Sequence, residues 1–140
     1  MAEPTLPKRT LPQRTLSVIV PVKDAAATLP KLLGRLTALQ PPPGWRVEIL
    51  AGLNPSRDES ELLLRRHGVK VVRCNVLGPA AARNAAARAA SGLLYYFIDA
   101  DACPQGDDFY RRLIGYAIGL AKRGRFGAYG GAILLDPAQA

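Results

Sequence analysis

The chain of 140 residues predicts a three-layer α/β/α protein with a mainly parallel central sheet. Short runs rich in Val, Ile and Leu alternate with segments whose apolar residues recur at helical spacing. The strand-like runs are apolar at consecutive positions, as in strands covered on both faces. Proline or glycine closes the helical segments, at 41–44, Gly68 and Gly92. Strand–helix alternation of this kind implies crossover connections and helices on both sides of the sheet.

Met1 to Thr15 is polar and holds the near-repeat Thr5-Leu6-Pro7-Lys8-Arg9 and Thr10-Leu11-Pro12-Gln13-Arg14, so 1–15 is expected to be a flexible basic tail. Residues 16–140 are expected to form the α/β domain. Leu16 to Val22 reads as a first strand, with Pro21 ending its ladder. Leu29, Leu32, Leu33, Leu36 and Leu39 then mark one face of a helix. Arg46 to Ala51 is a second strand, Asp58 to His67 a helix and Val69 to Arg73 a third strand. Pro79 to Ser91 is an alanine-rich helix leading to a fourth strand, Leu93 to Ile98. Asp107 to Arg123 places Phe109, Leu113, Ile114, Ala117 and Ile118 on one helical face, and Ala128 to Leu135 reads as a fifth strand.

No stretch approaches the ~18 uninterrupted apolar residues of a membrane span, and the N-terminus is unlike a secretory signal. Cys74 and Cys103 match no metal spacing and read as reduced cytoplasmic thiols. The net charge of +8 would draw nucleic acid, anionic lipid or phosphorylated substrates. The basic residues are scattered and no aromatic residues interleave with them, which argues against nucleic acid. Neither GxGxxG nor GxxxxGK[ST] occurs, so dinucleotide-binding and P-loop readings fall away.

In parallel α/β sheets ligands bind beyond the carboxyl ends of the strands. Loops beginning at Lys23, Gly52, Cys74 and Asp99 should converge there. Asp99-Ala100-Asp101 directly follows the fourth strand, and strand alternation would project both carboxylates to one side. Two close carboxylates repel unless a cation or another partner neutralises them, and Mg²⁺ suits one or two carboxylates plus phosphate oxygens. A solvated turn capping the next helix is the competing reading. Asp24 would either cap the first helix or contact a nucleoside. Arg83, one turn into its helix, is poorly placed for the helix dipole unless a phosphate or carboxylate waits for it. His67 reads as a helix-end residue.

Ser17 to Asp24, then Gly78-Pro79-Ala80-Ala81-Ala82-Arg83-Asn84, then Ala90-Ser91-Gly92 and Phe97-Ile98-Asp99-Ala100-Asp101 resemble family 2 glycosyltransferases. The resemblance implies a GT-A fold, a nucleotide-diphosphate sugar as donor, and Mg²⁺ or Mn²⁺ as cofactor. By position it puts Pro21, Lys23, Asp24 and Arg83 at the nucleotide, and Asp99 and Asp101 at ribose, metal and diphosphate. An acceptor hydroxyl, on a saccharide or lipid-linked, would attack with inversion. Peripheral contact with the inner face of the membrane would be compatible with this.

Two departures stand out. Leu53-Asn54-Pro55-Ser56 replaces an Asp-rich segment, leaving Asn54 to hydrogen-bond the base. The acceptor half and general base of such enzymes follow the fifth strand, so the chain is expected to be a donor-binding portion with no base of its own. The alternatives are a non-catalytic or partner-dependent nucleotide-sugar-binding subunit, and a nucleotidyltransferase. The latter should carry a Gly-rich basic loop that Lys23-Asp24-Ala25-Ala26-Ala27 lacks.

Overall fold

The structure is a computed structural model and describes residues 13–124. Four strands and four helices alternate: β1 (Arg14–Val22), α1 (Leu29–Ala38), β2 (Trp45–Leu53), α2 (Ser60–Arg66), β3 (Lys70–Arg73), α3 (Pro79–Ala89), β4 (Leu94–Phe97) and α4 (Phe109–Lys122). The sheet order is β3-β2-β1-β4 and every pairing is parallel. Every predicted element in this range is present, with ends moved by up to two residues. The proposed strand Ala128–Leu135 and residues 1–12 of the proposed tail lie outside the described residues.

β1 begins two residues earlier than its apolar run, so Arg14 and Thr15 belong to the sheet and not to a tail. Tertiary contacts recruit them. Arg14 N–H donates to Gly44 O at 2.9 Å and its guanidinium lies 5.8 Å from the centre of the Trp45 ring. Thr15 Oγ1 accepts from Arg46 Nε at 2.9 Å.

β1 is covered on both faces. Leu16, Val18, Val20 and Val22 pack with Leu29, Leu32, Leu33 and Leu36 of α1, Leu64 of α2, and Tyr110 and Ile114 of α4. Each such aliphatic side chain contributes on the order of 2 kcal/mol when removed from water. Tyr110 is buried there with its hydroxyl donating to Leu36 O at 2.8 Å, and burial pushes its pKa up. On the opposite face Ile19 and Leu50 pack against Ala86 of α3.

α3 lies so close to the sheet that a Cβ at Gly52 would run into the carbonyl of Ala82. Its alanines permit that approach. At the far end of α3, Glu48 Oε1 accepts from Ser17 Oγ at 2.6 Å and from the N–H of Ser91 at 2.7 Å, while Gly92 N–H donates to Ser17 Oγ at 2.8 Å. Burial by itself raises the Glu48 pKa. The hydrogen bonds from Ser17 and Ser91, with Lys70 nearby, outweigh it and hold the carboxyl below the ordinary range.

Pro21 acts more selectively than expected. The strand continues to Val22, whose carbonyl accepts from Asn54 N–H at 2.9 Å, so even-numbered positions bond toward β2. Ile19 O accepts from Ile98 N–H at 3.1 Å, so odd positions bond toward β4. Pro21 falls on the β4 side, just where that ladder stops. The carboxyl ends of β1 and β4 therefore part.

Gly52→Ala is expected to destabilise the fold by about 1–3 kcal/mol through overpacking against α3, measured by urea denaturation. Glu48→Gln tests the clamp beneath α3. Because the folded pKa is depressed, the charge stabilises fully above the unfolded value of about 4.3 and is lost as pH falls through the folded value. Wild type should exceed the variant by up to about 1 kcal/mol at pH 6, and the gap should close by pH 3.

Candidate functional site

α1 and α2 follow the strands that run outward from β1 to β3, whereas α3 returns across the sheet on the other face and delivers β4 beside β1. The strand order reverses between β1 and β4, and such a reversal leaves a crevice at the carboxyl edge. A cleft of about 490 Å³ lies there, lined by Pro21, Val22 and Lys23 from β1, Asn54 from β2, Gly78, Pro79, Ala82 and Arg83 from α3, and Asp99 and Asp101 after β4. Its size is within the range of small-molecule sites.

Of the seven residues singled out from the sequence, Pro21, Lys23, Asn54, Arg83, Asp99 and Asp101 line this one cleft. Asp24 does not. Its carboxylate accepts from Arg57 N–H at 2.6 Å and its own N–H donates to Ser56 Oγ at 3.0 Å. With φ of 45° it takes a left-handed conformation that Asp tolerates better than most residues. It neither caps α1, whose N-cap is Thr28, nor faces the cleft; it pins two loops together. Asp58 reinforces the seam, accepting from Ala26 N–H at 2.9 Å and Ser60 N–H at 3.0 Å.

Asn54 is nearly buried, at 2% exposure. Both of its amide hydrogens are engaged, by Cys74 O and Val76 O at 2.9 Å each, and its Oδ1 accepts from Gly78 N–H at 3.1 Å. The side chain expected to bond a base instead shapes the loop that opens α3. Gly78, with φ of 117°, and Pro79 at the first helical turn complete that start. Val22, Gly78, Pro79 and Ala82 also line the cleft. Gly-Pro before a helical run was a visible signal for two of them; nothing local distinguishes Val22 or Ala82.

The aspartates reach the cleft by a route other than strand alternation. β4 ends at Phe97, and Ala102 N–H donates to Asp99 O at 3.1 Å, so the pair sits on a turn. Arg83 Nη2 donates to Asp99 Oδ1 at 2.8 Å; this carboxylate is the anion that its helical position called for. Asp101 is exposed and makes no hydrogen bond or ion pair with another described residue. Among the described residues no three acidic, histidine or cysteine side chains gather to enclose a cation. The donor set thus fits a hard cation shared with phosphate oxygens and does not fit a closed protein cage. His67 stands apart, capping α2 with Nδ1 2.9 Å from Leu63 O.

The fold is thus a parallel α/β sheet with a crevice at the strand-order reversal, walled by the N-terminus of α3, an arginine and two aspartates. The chain belongs to glycosyl transferase family 2, whose model matches residues 17–124. No curated protein matches it. Among solved structures it is similar to S. aureus TarS in complex with UDP-GlcNAc, at 22% identity over 79% of this chain and 32% of that one, TM-score 0.61. It is similar to the mannosyltransferase PcManGT from Pyrobaculum calidifontis in complex with GDP-Man and Mn²⁺, at 25% identity over 69% of this chain and 30% of that one, TM-score 0.58. A third likeness is to glucosyl-3-phosphoglycerate synthase from Mycobacterium tuberculosis with Mn²⁺, UDP and glucosyl-3-phosphoglycerate, at 21% identity over 77% of this chain and 39% of that one, TM-score 0.54. The fold is that of GT-A glycosyltransferases. The chain spans 20–40% of the length of the solved structures it matches.

Asn54→Asp removes both amide donors and sets a carboxylate against two carbonyl oxygens. We expect a loss of about 2 kcal/mol and faster amide hydrogen exchange confined first to residues 74–78, read by mass spectrometry.

Proposed function

We propose that this chain binds a nucleotide-diphosphate sugar in the cleft between β1 and β4 and serves transfer of the sugar to an acceptor, with inversion at the anomeric carbon. The carrying observation is the convergence of Arg83, the α3 N-terminus, Asp99 and Asp101 at that edge. Pro21 and Val22 offer an apolar wall to the nucleoside and Lys23 a cation beside it. Arg83 would neutralise the diphosphate as charge develops on it during departure. The dipole of α3 adds to that stabilisation. Asp99 and Asp101 would hold Mg²⁺ or Mn²⁺, which supplies Lewis-acid stabilisation of the leaving group. Support for a nucleotide-sugar donor also comes from the similar structures, solved with UDP-GlcNAc and with GDP-Man and Mn²⁺.

The acceptor would be a saccharide or lipid-linked hydroxyl, approached from the sugar's far side. A cytoplasmic place of action accords with the free thiols Cys74 and Cys103. No helix among the described residues is long and apolar enough to cross a membrane. A second reading, donor binding without transfer or completed by a partner, is favoured by one feature. Among the described residues the cleft is lined by no carboxylate besides the two assigned to the donor, and the reading gives neither of those the part of general base.

Calorimetric titration with UDP-, GDP- and dTDP-sugars, with and without Mn²⁺, tests both readings. Cation-dependent binding of one of them is expected, and its absence for all would overturn the proposal. Binding with transfer supports the first reading, and binding without transfer the second. Asp101→Ala should weaken cation-dependent binding at least about tenfold while leaving Tm unchanged, since the exposed side chain bonds to no other described residue.

A further inference from the structure

We infer that Arg83 and Asp99 form a latch that makes nucleotide diphosphate and divalent cation bind cooperatively, each ligand releasing the residue that the other needs. The inference rests on the donor-binding reading above and adds a thermodynamic coupling to it. The two residues neutralise each other across 2.8 Å, while Asp101, two positions further on the same turn, has no hydrogen-bond or ion-pair partner among the described residues. The two cleft carboxylates are therefore not equivalent.

A cation arriving alone finds only Asp101 ready. To gain Asp99 it must separate the pair, which leaves the Arg83 guanidinium unpaired beside a second positive charge. A diphosphate arriving alone must take Arg83 from Asp99, which leaves a bare carboxylate beside a polyanion. When both arrive, Arg83 turns to phosphate and Asp99 to the cation, and each has a counter-charge. The pair is then broken once for two ligands rather than once for each. Linkage requires the effect to be reciprocal. Side-chain exposures of 34% for Arg83 and 63% for Asp99 keep the separation modest, so the latch is worth about two- to fivefold in affinity, on top of direct cation–phosphate attraction.

The test measures Mn²⁺ binding from the electron paramagnetic resonance signal of the free ion, with and without UDP. UDP binding is measured by calorimetry, with and without Mn²⁺. In Arg83→Gln, Mn²⁺ alone should bind about two- to fivefold tighter than in wild type, although UDP binds more weakly. In Asp99→Asn, UDP alone should bind tighter by a similar factor, while enhancement by Mn²⁺ is largely lost. Both sites are accessible enough for the variants to fold, which a thermal melt verifies. If wild type binds the two ligands cooperatively but Arg83→Gln leaves the affinity for Mn²⁺ alone unchanged or lower, the latch is wrong and the donor-binding reading stands. If wild type takes up neither Mn²⁺ nor UDP, that reading falls and the latch with it.

Discussion

Burial of β1 on both faces is the constraint from which the rest of the molecule follows. Val18, Ile19 and Val20 are fully inaccessible, so helices must cover the strand on each side and neighbours must pair on each edge. The nine-residue register with β2 and the four-residue register with β4 are both parallel, which gathers all the strand exits at one edge. β1 is where the strand order reverses, and the ladder toward β4 stops at Pro21. The crevice is thus a product of how the central strand is paired, and it exists before any side chain is placed in it.

α3 converts that crevice into a chemical site. Its approach to β2 depends on Gly52 meeting the backbone at Ala82, and its register is held at both ends. Asn54 fastens Gly78 at the amino end, and the Glu48, Ser17 and Ser91 cluster fastens the carboxyl end. With the helix fixed against translation and tilt, Arg83 comes within ion-pair distance of Asp99. Helix placement by small residues and local hydrogen bonds thereby sets the charge arrangement of the cleft.

Much of this was legible in the sequence for a simple reason. Apolar runs buried on both faces, leucines at helical spacing and glycine or proline stops are local patterns, and they located every described element to within two residues. The strand ends were less legible. Arg14 and Thr15 join β1 through Gly44, Trp45 and Arg46, contacts made across about thirty residues of chain. Pro21 was read as a general stop, but its missing N–H matters on one edge alone.

The site divides in the same way. Residue types and order by themselves determined the parallel α/β class, the edge where the strand exits gather, and the carboxylates and arginine that meet there. Only the tertiary structure decided which of them face the cleft and which are held by the protein itself. It turned Asp24 and Asn54 into braces between loops, set Asp99 against Arg83, and left Asp101 without a partner among the described residues. The physical reason is that a polar side chain's role depends on which hydrogen-bonding groups lie within about 3 Å. For these residues most of those groups come from segments distant in the chain.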